Sequence, residues 1–417
     1  MELLADLWNV EDSPVTPSTM VDLSLWHLQE ELVPPDYETD DSRAYGPDSR
    51  LAFASMQVLG EFDIHDEDSI LEQIVGSWPG ISKWISFIYH TRVLPNAPDV
   101  DVLEKSFTVY HLTRFWFRLI CCHTLATLVL EVPIAAEMSA RLWEESDEAS
   151  SWVGMKSFGM AMFARFLLQA RSHLDSEHHS AMLRSAGSPQ HLTGLVECYL
   201  MPAIPRENSK RPSAWSDVHD AIDILVELME LEPLFRHLLH YRLITDVVSI
   251  LLELSTVFDQ LANSQAIIQI VYKSFLFLGK SFKEGDASIW TSQAVRAGFL
   301  QAFCKCWQQL STRLTPAEHD TTETLIHNLT SLLIHRPVIE EVTRELRRIQ
   351  RDPAGNWSYM VSGSNPTREQ WKALGTLAEQ RNENLVEFRE REMQQRESMT
   401  CGNREVRVFS LATMSSF

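Results

Sequence analysis

The sequence is short of turn-making residues. Fifteen glycines in 417 residues supply few left-handed corners, which disfavours a many-turned β architecture. No stretch alternates polar and apolar residues strictly over five or more positions, and no Asn-Gly or Asp-Gly pair marks a hairpin. Catalytic signatures are missing too: there is no G-x-G-x-x-G, no P-loop and no G-x-S-x-G. Positive charge is scarce, with 36 Lys and Arg against 57 Asp and Glu and a net charge of −21. Such a balance repels phosphate backbones and anionic bilayers, so neither nucleic acid nor membrane is an expected partner. It serves solubility and leaves room for a basic protein partner.

Long apolar runs are absent as well. The longest, FWFRLICCHTLATLVLEVPIAA from Phe115, is cut by Arg118, His123 and Glu131. The twelve residues between Arg118 and Glu131 fall short of the ~20 that a span needs. The opening MELLADLWNVEDSP lacks the basic start and apolar core of a secretion signal. The chain is therefore expected in the cytoplasm or nucleus, with six reduced cysteines and unglycosylated sequons at Asn328 and Asn356.

What is present is helical periodicity. Residues 1–50, rich in Pro, Asp and Ser, are expected to be largely disordered, with one short helix in TMVDLSLWHLQEEL capped by Ser18 or Thr19. From 51 to 355 amphipathic segments follow almost without pause. Ile81, Trp84, Ile85 and Ile88 share one face, as do Leu243, Val247, Ile250, Leu251 and Leu254. DVLEKSFTVYHLTRFWFRLICCHTLATLVLEV is one long helix or two in sequence, ended by Pro133. Thr315 is a natural N-cap before Pro316, and Pro337 opens a further helix. The whole reads as all-α: an irregular armadillo/HEAT-like helical array of twelve to fifteen helices of ~12–20 residues, with no repeating consensus. Residues 356–366 read as a loop. Residues 367–399 form a charged amphipathic helix, with Thr367 and Gln370 as a capping box. Its apolar set is Trp371, Leu374, Leu377 and Ala378, then Leu385, Phe388 and Met393. Such a seam either packs on the end of the array or pairs with another helix.

The stretch WKALGTLAEQRNENLVEFREREMQQRESMTCGNREVR resembles the segment that leads into a MYND-type zinc finger in large fungal protein families. Trp371, Leu374, Leu377, Ala378 and Arg381 match their W-x-x-L-x-x-L-A-x-x-R helix. Cys401, Gly402, Asn403 and Arg404 match the early C-G-[KN]-R piece of the finger. GSWPGISKWISFIYH resembles the start of their helical region. The unbroken periodicity, the missing catalytic motifs and this resemblance together point to a scaffold whose concave surface or last helix binds another protein, with Trp371, Leu374, Leu377, Ala378 and Arg381 as the candidate interaction residues. A finger needs four thiolate or imidazole ligands, and residues 402–417 contain neither Cys nor His. Family zinc binding is thus not carried over. Cys401 is a ligand position without partners, and 400–417 is expected to be a disordered remnant, read as a truncated or alternatively spliced ending.

Other clusters carry no expected chemistry. Cys304 and Cys306 lie about 200° apart on a helix and cannot share a metal. Cys121, Cys122 and His123 sit within an apolar helix as structural residues. His173, His178 and His179 form a polar turn, and His237 and His240 lack the glutamate of H-E-x-x-H. Glu144-Glu145 and Glu340-Glu341 read as solvated faces. Arg206, Lys210 and Arg211 form a basic exposed loop. The expected function is a non-enzymatic helical scaffold with a protein partner, no catalytic residue and no cofactor. The alternatives are an all-helical enzyme using its histidines for a metal, or a non-functional truncated product.

Overall fold

In a computed structural model, residues 16–34, 46–62, 68–94, 102–148, 155–170, 215–240, 242–261, 263–352, 356–362, 365 and 367–414 are described, with isolated positions between 194 and 210. These residues form helices and no strand, as the low glycine content and missing alternation require. The chain divides into two compact units. The first comprises residues up to 203 together with 216–240. The second is mainly residue 241 onward. Residues 51–355 are thus shared between the two units.

The first unit holds α1 (Pro17–His27), α2 (Pro47–Glu61), α3 (Asp68–Gly76), α4 (Trp78–Ile88), α5 (Val102–Cys121), α6 (His123–Leu130), α7 (Ala135–Glu148), α8 (Met155–Ala170), α9 (Ser216–Leu228) and α10 (Glu232–His240). The acidic N-terminal segment contributes more than a loose helix. Met20, Val21, Leu25 and Leu28 are buried, and α1 packs on α2 and α3. Its cap is Thr16, not Ser18 or Thr19: Thr16 Oγ1 accepts from the Thr19 amide at 3.2 Å. Pro17 explains the shift, because its fixed φ suits the first helical position and places the cap one residue earlier. The chain then runs close across α4 at Gly80, where a Cβ would lie 2.0 Å from the Leu28 carbonyl oxygen. Ile81, Trp84, Ile85 and Ile88 are all fully buried. A single π-helical turn, Tyr89–Val93, follows α4. The long apolar segment is two helices, broken at Cys122, which takes an extended backbone. α5 packs on α2, α7 and α8, and α8 packs on α7 and α9. Trp143 stacks on Phe163 at 4.7 Å, and the Trp116 indole donates to Ser139 Oγ at 2.9 Å.

The second unit holds α11 (Leu243–Leu261), α12 (Gln265–Ser281), α13 (Ala287–Arg296), α14 (Phe299–Leu310), α15 (Pro316–Ser331), α16 (Arg336–Gln350), the one-turn α17 (Asn356–Met360) and α18 (Arg368–Met414). Leu243, Val247, Ile250, Leu251 and Leu254 are buried as one stripe. Gly298, at φ 104°, turns the chain between α13 and α14, a conformation that costs other residues strain. Thr315 and Glu318 form a reciprocal capping box on α15. Much of the packing in this unit joins helices three apart: α11 meets α14, α12 meets α15, α13 meets α16 and α15 meets α18, while α18 also packs on α16, two before it.

The segment 356–366 is not simply a loop. α17 begins it, and Asn365 is buried at its end. The Asn365 side-chain oxygen accepts from the Trp307 indole at 3.0 Å and from the Thr367 amide at 3.1 Å, and its nitrogen donates to the Met360 carbonyl at 2.6 Å. α18 also outruns its expected end at 399, continuing to Met414. Gly402 and Asn403 are weak helix formers, yet each costs about 1 kcal/mol or less, so a helix can run through them.

Candidate interaction surface

The expected interaction seam divides when its residues are placed. Trp371, Leu374 and Ala378 are fully buried, against α15 and α16. Leu377 is half-buried and Arg381 exposed. Trp371 lies 5.6 Å from Phe303 and 6.4 Å from Trp357, and Phe303 stacks on Trp307 at 5.3 Å. Thr343 Oγ1 donates to the Ala378 carbonyl at 3.3 Å. Trp371, Leu374 and Ala378 are thus core, not a free surface. The reason is geometric: a 3.6-residue apolar stripe is satisfied equally by the chain's own helices. Gln370 does not close a capping box; its amide donates to Glu323 on α15 at 3.0 Å.

Further along the same helix the surroundings change. Val386, Phe388 and Met393 are 43%, 62% and 58% exposed, and every residue from Glu390 to Arg396 is exposed. At about 100° per residue, Val386 and Met393 share one face, and Leu385 lies between them and Phe388, which points about 160° from Val386. This stretch is held helical by its own charge pairs, Arg391–Glu387 at 3.0 Å and Arg396–Glu392 at 3.8 Å.

Of the acidic pairs, Glu144, Glu145 and Glu341 are largely buried, while Glu340 stays 41% exposed. The Glu145 side chain is 5% exposed, with Lys105 of α5 at 2.7 Å and Arg141 at 2.6 Å, while Arg141 also holds Glu144 at 2.6 Å. The Glu341 side chain, 9% exposed, pairs with Arg296 of α13 at 3.0 Å and with Arg344. Glu340 pairs with Arg336 at 2.8 Å and with Arg389 of α18. Hydrogen bonding from Arg336 is the main cause that holds the Glu340 carboxyl below its ordinary range; burial opposes it, and the charge of Arg389 adds to the lowering. Buried carboxylates need such partners; sequence offered the cations without showing which helices would meet.

Between α16 and α18 runs a groove of about 570 Å³, lined by Glu340, Thr343, Arg344, Arg347, Arg348, Arg351, Asn382 and Arg389. Five arginines in one groove stand out in so acidic a chain. Sequence reading missed it because α18 supplies Asn382 and Arg389 from outside the α16 run.

The thiols behave as expected in part. Cys304 and Cys306 are buried. Burial pushes the Cys306 thiol up to about 12, and burial aided by Glu345 pushes Cys304 higher still. Cys122 is buried at the break between α5 and α6, whereas His123 is exposed. His173, His178, His179, Cys198, Arg206 and Arg211 lie outside the described residues, as does the side chain of Cys401; Lys210 is exposed. Among the described residues, no three His, Cys, Asp or Glu side chains are grouped to hold a metal ion. No described helix is long and apolar enough to cross a membrane. Comparison with protein-family models, curated proteins and solved structures found no match.

Proposed function

We propose that the protein is a non-enzymatic helical scaffold whose second unit presents the outer part of α18 to a partner protein. The observation that carries this is the exposure of the apolar residues Val386, Phe388 and Met393 on a helix already anchored at Trp371. An anchored amphipathic helix docks its apolar face into a partner's groove without first having to order itself. The packing of helices three apart, with paired helices opening about 50 residues apart, supports an armadillo-like stacking of the second unit; regular arrays of that kind repeat at ~40–47 residues. The relation to MYND-finger proteins belongs to the same proposal and rests on Trp371, Leu374, Leu377, Ala378, Arg381 and the Cys401–Arg404 piece. In that reading the protein works in the cytoplasm or nucleus.

Photo-crosslinking in expressing cells tests the docking. A benzoylphenylalanine at position 388 should give a discrete adduct that Met393→Glu abolishes. The same probe at Ile289, 50% exposed in the same unit, should give none. Indistinguishable adducts from the two positions would remove α18 as the docking element.

A further inference from the structure

The arginine groove between α16 and α18 has a chemistry that the docking of α18 does not use. Its α16 wall carries Arg344, Arg347, Arg348 and Arg351, and its α18 wall carries Asn382 and Arg389. Three of these cations are engaged. Arg344 is held by Glu341, Arg348 by Glu345 at 3.4 Å, and Arg389 by Glu340. The Glu341 and Glu345 side chains are under a tenth exposed, so they steady the guanidinium groups from below. Arg347 and Arg351 are exposed and make no ion pair with any described residue. Two unpartnered guanidinium forks thus face a groove that three others already make positive.

Arginines in the last turn of a helix ordinarily complement its dipole. That role asks for one or two cations and for no groove. Planar guanidinium forks match the oxygens of phosphate two at a time. A volume of about 570 Å³ lies in the range of small-ligand sites. Ligand size is set by the rest of the charge. The chain carries −21 overall, which opposes an extended polyanion such as RNA. A compact one sees mainly the arginines within a Debye length, about 8 Å at physiological salt.

We propose that this groove binds a small solute bearing two or more phosphate groups, with Arg347 and Arg351 as its principal contacts and Asn382 as a neutral donor. The site is independent of any partner of α18. Titration calorimetry of the full chain with sodium tripolyphosphate at 0.15 M NaCl is the test, with orthophosphate and a phosphoserine peptide in parallel. Tripolyphosphate should bind saturably at one site and at least tenfold more tightly than orthophosphate. Arg347→Gln combined with Arg351→Gln should weaken it at least tenfold without moving the melting temperature. Arg391→Gln with Arg396→Gln, which removes the same charge outside the groove, should leave it unchanged. Absence of saturable binding, or equal loss in the two double variants, would overturn the site. Tighter binding of the phosphoserine peptide would overturn the small solute in favour of a modified protein.

Discussion

One helix, α18, is two environments in sequence. Over Trp371–Ala378 it is core: Trp371, Leu374 and Ala378 are fully buried, and the backbone carbonyl of Ala378 is claimed by Thr343. Over Val386–Arg396 it is surface, with Phe388 and Met393 more than half exposed. Composition already separates the halves: Lys372 is the one charge in 371–378, whereas 386–396 carries Glu387, Arg389, Glu390, Arg391, Glu392 and Arg396. Whether the apolar residues of each half are covered is decided by what stands opposite. α15 and α16 cover the inner half, and the last recorded tie to α16 is Arg389 on Glu340. Amphipathicity therefore shows that a helix has a sticky side; it does not show whether that side is spent at home.

The largest separation between the halves is expected in stability. Trp371→Ala empties a fully buried site and should cost about 3–5 kcal/mol in urea denaturation, whereas Phe388→Ala should stay within about 0.5 kcal/mol. Equal costs would abolish the distinction. Next comes the anchor at the start of α18. Asn365→Ala strands the Trp307 indole and the Thr367 amide, and about 1–3 kcal/mol should be lost, with the loss seen as faster proteolysis ahead of residue 368. Trp371→Phe sharpens the inner half further. The Trp371 indole nitrogen is buried without a partner, so removing it should cost well under the alanine value, by the same denaturation measurement.

The smallest effect concerns the boundary. Glu340 has its carboxyl held low by Arg336 and Arg389. A depressed folded value means that its contribution is present above the ordinary carboxylate pKa and fades as pH falls through the folded one. Amide exchange at 385–389, corrected for intrinsic rates, should therefore rise below about pH 4.5, and Glu340→Gln should flatten that rise. An unchanged profile in the variant would move the boundary tie elsewhere.

Much of this was legible in the residues. Pro316 after Thr315 fixed a cap, and the spacing of Leu243, Val247, Leu251 and Leu254 fixed a buried stripe, because both depend on neighbours within a turn or two. Trp371, Leu374 and Ala378 announced a seam by the same local rule. What stayed hidden depends on distant partners. Glu145 reads as a surface acid until Lys105, on another helix, is set beside it. Asn365 looks like loop filler until Trp307 points at it. The arginine groove needs two helices to exist. The extended backbone at Cys122, with no proline or glycine beside it, has no local cause that we can identify. The division of the chain into two units likewise follows from which helices meet, not from any punctuation in the chain.

Hydrogen exchange along α18 tests the central claim most directly. Amides of 371–378 should exchange only through unfolding of the second unit, while those of 390–396 should exchange orders of magnitude faster, as exposed helix does. Uniform protection from 371 to 396 in the isolated protein would mean that the outer half is already covered, and would contradict the account.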